Sequence, residues 1–272
     1  MKRLNQALQN QSSPETTSLL KTAAEAALEG GYIIRELYEK PHEIDFKGPI
    51  DIVTEADLTV EAAIVATLEE KDEIPIIAEE SAQDKDPLAK GPAWIVDPLD
   101  GTTNFAHGFP YFCVSIAHVV DGKPDIGVVY CPLLDELFWA TKGGGAWLNG
   151  RRIQVTTTQH PLQDLVGTGF PYDIYEDLDD VMIQMRSVLP RVRDIRRAGA
   201  AALDLAYLAC GRLDGFYEMR LKPWDVAAGW LLITEAGGRV TDFGGTDFKF
   251  ESQEILATNS LLHDKLLSLI RA

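Results

Sequence analysis

Trp94-Ile95-Val96-Asp97-Pro98-Leu99-Asp100-Gly101-Thr102-Thr103-Asn104-Phe105 is the stretch around which the whole chain is organised. An apolar run, Ala93 to Val96, reads as a short buried strand that stops at Asp97. A carboxylate set between Val96 and Pro98 is costly to bury unpaired, so Asp97 calls for a cation. Asp100, taken alone, is an ordinary turn residue before glycine. Gly101, Thr102 and Thr103 begin a helical turn and offer N–H groups and hydroxyls to an anion. Hard cations such as Mg²⁺ bind through a few carboxylates together with phosphate oxygens. The pattern therefore points to metal-assisted attack of water on a phosphate ester.

Working outward, Ile74 to Ala78 reads as a second buried strand, ending at Glu79-Glu80-Ser81. Taken alone, Glu79 reads as a surface turn acid, but ligands of open α/β sheets gather at the carboxyl ends of strands, and with Asp97 and Asp100 it makes a coherent oxygen-ligand set. Ser13-Pro14-Glu15 starts a long helix that the apolar spacing carries to about Lys40. Lys47-Gly48-Pro49 is a loop. A second helix runs from about Thr54 to Lys71, with Ile64, Val65 and Leu68 on its apolar side. Thr54-Glu55-Ala56-Asp57 resembles a capping box, so Asp57 is either a cap or part of a site.

Cys113 to Val120, Ile126 to Tyr130 and Leu137 to Ala140 read as antiparallel strands around the turns Asp121-Gly122-Lys123, Gly143-Gly144-Gly145 and Asn149-Gly150. From Asp164 the pattern returns to strand and helix. Leu203 to Cys210 is an apolar helix closed by Gly211, and Trp224 to Ala236 one closed by Gly237-Gly238. Asp225 would be the N-cap of the latter, or a metal ligand held by a buried Trp224. Arg239 to Thr241 and Ile255 to Ala257 are strands, and His263 to Arg271 is a last helix. The mixture predicts layered α and β elements, as one domain over 1–272 or two intimate lobes divided near residue 155.

The 272 residues carry a net charge of −17, a surface that repels nucleic acid and anionic membrane. Bound cations reverse the local field, so a phosphorylated substrate is not excluded. Cys113, Cys131 and Cys210 lie in apolar stretches without zinc spacing and read as reduced thiols. Polar residues Asn5 to Ser13 follow Met1-Lys2-Arg3, unlike a signal peptide. No apolar run spans a bilayer, and the expectation is a soluble cytoplasmic protein. His42, His107, His118, His160 and His263 show no ligand spacing. Arg196-Arg197 reads as a solvated or ion-paired dyad, or as a contact to an anionic part of a substrate.

Trp94 to His107 resembles the first signature of the inositol monophosphatase family, and Trp224 to Gly238 the second. Ala78 to Ser81 resembles the Glu-Glu-Ser segment that precedes the first. The resemblance runs from about Thr22 to the C-terminus. It implies an αβαβα five-layer sugar-phosphatase fold, a homodimer and lithium-sensitive, Mg²⁺-dependent phosphomonoester hydrolysis. It also implies one cation on Glu79, Asp97 and the carbonyl of Leu99, a second on Asp97, Asp100 and Asp225, and a weaker third on Glu79. Glu79 and Thr102, backed by Asp57, would orient the attacking water and take its proton. Gly101 and Thr102 would hold phosphate oxygens.

The same resemblance places Thr103 where relatives acting on adenosine bisphosphates carry lysine. It places Glu218 against the inositol hydroxyls, and Ala201 in the small-residue segment that lets the ring approach the backbone. A carboxylate accepts several hydroxyl hydrogen bonds, which suits a polyol. Ala200 departs from the Thr or Ser often found there. The leading expectation is release of phosphate from myo-inositol 1-phosphate. Fructose 1,6-bisphosphate or histidinol phosphate on the same scaffold are the alternatives, and a regulator that binds a partner is the alternative of another class. A complete acid set argues against lost catalysis.

Overall fold

The computed structural model describes residues 13–40, 44–48, 52–71, 73–81 and 91–271. His42, Pro49 and the segment before Ser13 lie outside them. Ser13 caps α1 (Pro14–Leu37), its hydroxyl accepting the Thr16 N–H at 3.1 Å. The helix ends short of Lys40 because Tyr38 is extended and Glu39 left-handed, with φ 62°. A methyl at Gly30 would sit 3.0–3.2 Å from Val60 and Ile64, and one at Gly31 would strike the Tyr130 ring at 2.4 Å. The two glycines thus let α1 wedge between a neighbouring helix and a sheet.

Lys47 and Gly48 of the expected loop follow β1 (Ile44–Phe46), which pairs antiparallel with β2 (Ile52–Thr54). Strands of three residues carry no periodic signal. α2 (Glu55–Lys71) follows, then β3 (Ile76–Ala78) and β4 (Pro92–Asp100). β4 is longer than the expected Ala93 to Val96, so both aspartates lie on the strand itself. α3 (Thr102–Ala106) comes next, then β5 (Cys113–Val120), β6 (Lys123–Cys131), β7 (Glu136–Thr141), β8 (Gly145–Leu148) and β9 (Arg151–Ile153). The sheet order is β3-β4-β5-β6-β7-β8-β9, with β3 parallel to β4 and every later pair antiparallel. Asn149-Gly150 turns β8 into β9 with φ 49° and 81°, the conformation that this dipeptide favours.

The second half holds β10 (Leu165–Thr168), α4 (Ile174–Val188), β11 (Asp194–Arg196), α5 (Ala201–Ala209), β12 (Gly215–Met219), α6 (Pro223–Glu235), β13 (Arg239–Thr241), β14 (Glu254–Thr258) and α7 (His263–Ile270). Its sheet is mixed, in the order β11-β10-β12-β14-β13. The chain passes from one sheet to the other between Ile153 and Leu165.

Three apolar clusters set the layers. Ile34, Ile64 and Leu68 of α1 and α2 pack on Trp94, Val96 and Trp139 of the larger sheet. That sheet's other face, through Ile95, Phe138 and Ala140, meets α5 and α6, which on their far side cover Phe216 and Ile255 of the smaller sheet. Val166, Tyr217 and Leu256 on its outer face are buried under Val188 and Leu266 of α4 and α7. The result is the five-layer αβαβα arrangement. α6 rests on the larger sheet at Gly127, where a methyl group would stand 2.9 Å from the carbonyl oxygen of Ala228. Among the described residues, no helix is long and apolar enough to cross a membrane.

Candidate active site

The acids named from the sequence converge where β3, β4 and the starts of α5 and α6 meet. Register against β5 breaks between Asp97 and Asp100, which turns the end of β4 toward the cleft. Asp97 is buried, and its Oδ1 accepts the Leu99 N–H at 3.0 Å. Asp100 reaches across the chain to α5. Its Oδ1 accepts the Ala201 N–H at 3.2 Å and its Oδ2 the Ala202 N–H at 2.7 Å, while the Cys113 thiol stands 3.6 Å from Oδ2. Ala200, at the N-cap of α5, has no side-chain oxygen, and Asp100 satisfies the helix N-terminus in its place.

Asp225 is not the N-cap of α6. Lys222 holds that position, Pro223 is the first helical residue, and Asp225 Oδ2 accepts the Lys222 N–H at 2.6 Å. Proline favours the first helical position, and it fixes this frame. Trp224 is half-buried rather than enclosed. Glu79 faces the cleft and binds Lys47 Nζ at 2.9 Å, which also meets Glu80 at 2.6 Å. The Glu79-Glu80 turn is pinned from behind, where Glu61 Oε2 accepts the Glu80 N–H at 2.8 Å.

Burial, followed by the charges of Glu79, Asp100 and Asp225, pushes Asp97 far above the usual carboxylate range. Burial, then Glu79 and Asp100, does the same to Asp225. Burial raises Asp100 to about 6 against the opposing helix N–H groups. It raises Glu79 despite Lys47, and takes Glu80 to about 7. Glu79 and Asp225 keep part of their surface open to the cleft, yet desolvation is the largest influence on each. This is a knot of mutually repelling carboxyls, with Lys47 as the cation bonded into it.

Asp57 has both of the roles between which the sequence left a choice. Its Oδ2 accepts the Thr54 N–H at 2.8 Å and the Thr54 hydroxyl at 2.7 Å, which caps α2. Its Oδ1 lies 2.7 Å from the Thr102 hydroxyl, which also stands 3.1 Å from the Leu99 carbonyl. Gly101 has φ 97°, and a methyl there would sit 3.0 Å from the Tyr111 carbonyl, so α3 starts only from glycine.

Beyond the acids the cleft deepens into a cavity of about 300 Å³ lined by Thr103, Gly169, Arg197, Ala201, Asp204 and Glu218. Thr103 is exposed at its mouth, and Glu218 on β12 is buried at its wall. A contiguous space of about 400 Å³ holds Lys47, Glu79, Asp97, Thr102 and Lys222. The arginine dyad splits: Arg196 pairs with Asp194 at the surface, and Arg197, also exposed, lines the cavity with its guanidinium over the Phe170 ring at 5.3 Å. Sequence reasoning missed Lys47, Asp204 and Tyr111, whose contacts join residues far apart along the chain.

The profile of the inositol monophosphatase family matches residues 15–272. The chain belongs to that family. The inositol monophosphatase of Dictyostelium discoideum is 41% identical over 256 residues, covering 92% of this chain and 94% of that one. The Nus factor SuhB of Escherichia coli is 40% identical, covering 93% and 96%. The solved inositol monophosphatase of Anabaena superposes with a TM-score of 0.85 at 38% identity, covering 94% and 96%. Family membership makes the protein a phosphoric monoester hydrolase.

Inositol monophosphatases are generally metal-dependent, and the donors here are all hard oxygens, the set that Mg²⁺ prefers. Among the described residues no three acidic, histidine or cysteine side chains already converge as a cage. Each acid instead holds a local N–H or Lys47. The fit lies in charge: four acids share a desolvated pocket, and a cation relieves the repulsion that raises them. The described histidines stand apart. His118 bonds Asp125 at 2.6 Å, His263 is buried between Thr241 and Thr258, and His107 and His160 are exposed. Cys113 and Cys131 are buried, Cys210 is half-buried, and all three are free thiols.

Proposed function

We propose that this protein releases phosphate from myo-inositol 1-phosphate, with two or three Mg²⁺ ions as its cofactor. The observation that carries the reading is the Thr102–Asp57 hydrogen bond standing beside the Glu79, Asp97, Asp100 and Asp225 carboxyls, with Glu218 along the same cleft. Glu79, Asp97, Asp100, Asp225 and the Leu99 carbonyl would hold the cations. Bound there, the cations supply charge neutralisation for the phosphate and a lowered pKa for water.

The chain's own groups do the rest. Asp57 draws the Thr102 proton toward itself, so the Thr102 oxygen presents lone pairs to the attacking water. Glu79 accepts the proton that the water gives up. The N–H groups of Gly101 and Thr102 hold phosphate oxygens, and Thr103 lies at the rim. Glu218 accepts polyol hydroxyls, and Ala201 leaves room for the ring. Positioning and fixed charge account for such a rate enhancement.

Phosphate release from inositol 1-phosphate, fructose 1,6-bisphosphate and histidinol phosphate, with and without Mg²⁺, tests the reading. The inositol ester is expected to lead, and Asp97→Asn to be inactive at saturating Mg²⁺ with its fold intact. A Mg²⁺-independent wild type, or near-normal turnover by the variant, would sink it.

We also infer that the chain is one folding unit and assembles as a homodimer in the cytoplasm. The α5–α6 layer shared by both sheets supports the first, and exposed Tyr175, Leu178 and Ile183 on α4 support the second. A single unfolding transition and a solution mass of twice 30.0 kDa are the expected results.

A further inference from the structure

The far end of the cleft holds two carboxylates against one guanidinium. Asp204 is only 2% exposed, and Glu218 only 9%. Both lie over bare backbone. A methyl at Gly169 would fall 2.1–2.2 Å from the Glu218 carboxylate atoms, and one at Gly167 would stand 3.6 Å from Asp204 Cγ. The missing side chain at Gly169 makes room for the Glu218 carboxylate, and Gly167, two residues before it on the same face, lies in ordinary contact distance of Asp204.

Asp204 Oδ1 accepts the Tyr111 hydroxyl at 2.6 Å. Its Oδ2 takes no protein donor among the described residues and is left for a ligand. Arg197 is the cation that both acids feel. It stacks over Phe170, while Arg196 is spent on Asp194 outside the cavity.

We propose that Asp204 is a specificity-determining residue, which together with Glu218 restricts the departing alcohol to an uncharged polyol and turns away esters that carry a second phosphate. This rests on the hydrolase reading given above. A polyol hydroxyl donates to Asp204 Oδ2 and to Glu218, and accepts from Arg197. A second phosphate, largely dianionic at pH 8, has few protons to give and meets the Asp204 charge and the acceptor oxygens of a second buried acid, with one exposed guanidinium opposite. Asp204 and Glu218 are themselves buried, and repulsion from buried charge is screened less by water than that from surface charge. Burial raises Asp204 to about 7 and pushes Glu218 well above the usual carboxylate range, so the comparison is made at pH 8, where Asp204 carries the charge.

The test compares kcat/KM for myo-inositol 1-phosphate and fructose 1,6-bisphosphate at pH 8 and saturating Mg²⁺. Asp204→Asn removes the charge at constant shape. It is expected to lower the inositol-to-bisphosphate ratio by at least about tenfold, mainly through a lower KM for the bisphosphate. Tyr111→Phe removes the hydrogen bond but not the charge, and should hold the ratio within about threefold. If Asp204→Asn does not fold, Asp204→Ser removes the charge in a smaller side chain and carries the same expectation. A ratio unchanged while both esters slow in proportion, or an equal shift in Tyr111→Phe, overturns the proposal and leaves the hydrolase reading standing. A wild type that turns over neither ester overturns that reading, and this proposal with it.

Discussion

Thr102 Oγ1 lies 2.7 Å from Asp57 Oδ1, a contact that spans 45 residues and joins the first turn of α3 to the first turn of α2. One carboxylate thereby caps a helix with one oxygen and holds a hydroxyl at the candidate site with the other. Asp57→Asn is expected to cut kcat by about 10²-fold and to cost about 1 kcal/mol of stability, because an amide cannot accept on both sides. Thr102→Ala should match the kinetic loss without the stability loss. Steady-state kinetics and urea midpoints measured on both variants check this, and equal destabilisation by the two would refute it.

The repelling acids give the metal-free protein a pH dependence of defined sign. Asp97, Asp100 and Asp225 have folded pKa values above their ordinary 3.8. Their ionisation is therefore harder in the fold than in the unfolded chain, and stability falls as pH rises from about 4, the Asp100 share being lost by about pH 6. In a chelator, Tm should drop between pH 4.5 and 7.5, and Mg²⁺ should flatten that drop. Asp97→Asn should raise the metal-free Tm at pH 7.5. Parallel melting curves with and without Mg²⁺ would count against the cation reading.

His263 gives the opposite slope. Its Nε2 and Nδ1 lie 2.9 Å from the Thr241 and Thr258 hydroxyls, and burial, then Arg239, lowers it from 6.5 to about 4. A depressed pKa stabilises the fold above 6.5, and that stability is lost as pH falls toward 4, a loss of about 3 kcal/mol if complete. His263→Gln should cost stability at pH 7.5 and progressively less toward pH 4.5. A penalty independent of pH would show that packing, not protonation, governs the site.

Gly169→Ala puts a methyl group inside the space of the Glu218 carboxylate. The carboxylate has to swing away, so KM for the inositol ester should rise by about tenfold while kcat changes little, the mark of lost ground-state binding. An unchanged KM would remove Glu218 from the polyol contacts.

The parts legible in the sequence are those written locally. Asp97 and Asp100 end an apolar run, Asn149-Gly150 favours a tight hairpin, and Ser13 and Pro14 start a helix, so the centre of β4, the β8–β9 turn and the start of α1 fall where the residues place them. The β1–β2 hairpin was not legible, because three residues cannot display an alternation. The frame of α6 is legible in Pro223, yet an N-cap stands as one of the two readings of Asp225 because aspartate is a commoner capping residue than lysine. Lys47 with Glu79, and Asp204 with Tyr111, were hidden for a different reason. Each pair is made by tertiary folding, and no local propensity records a partner 32 or 93 residues away.

Gly127 on β6 and Asp225 on α6 are linked through the packing of that helix on the sheet. The bare backbone of β6 sets how close α6 comes to the sheet at Ala228, one helical turn beyond Asp225. The spacing between Asp225 on that helix and Asp97 on that sheet is therefore fixed by an atom the chain omits. Enlarging residue 127 would act as a shim under the helix, prising two ligand-bearing elements apart while every acid stayed in place.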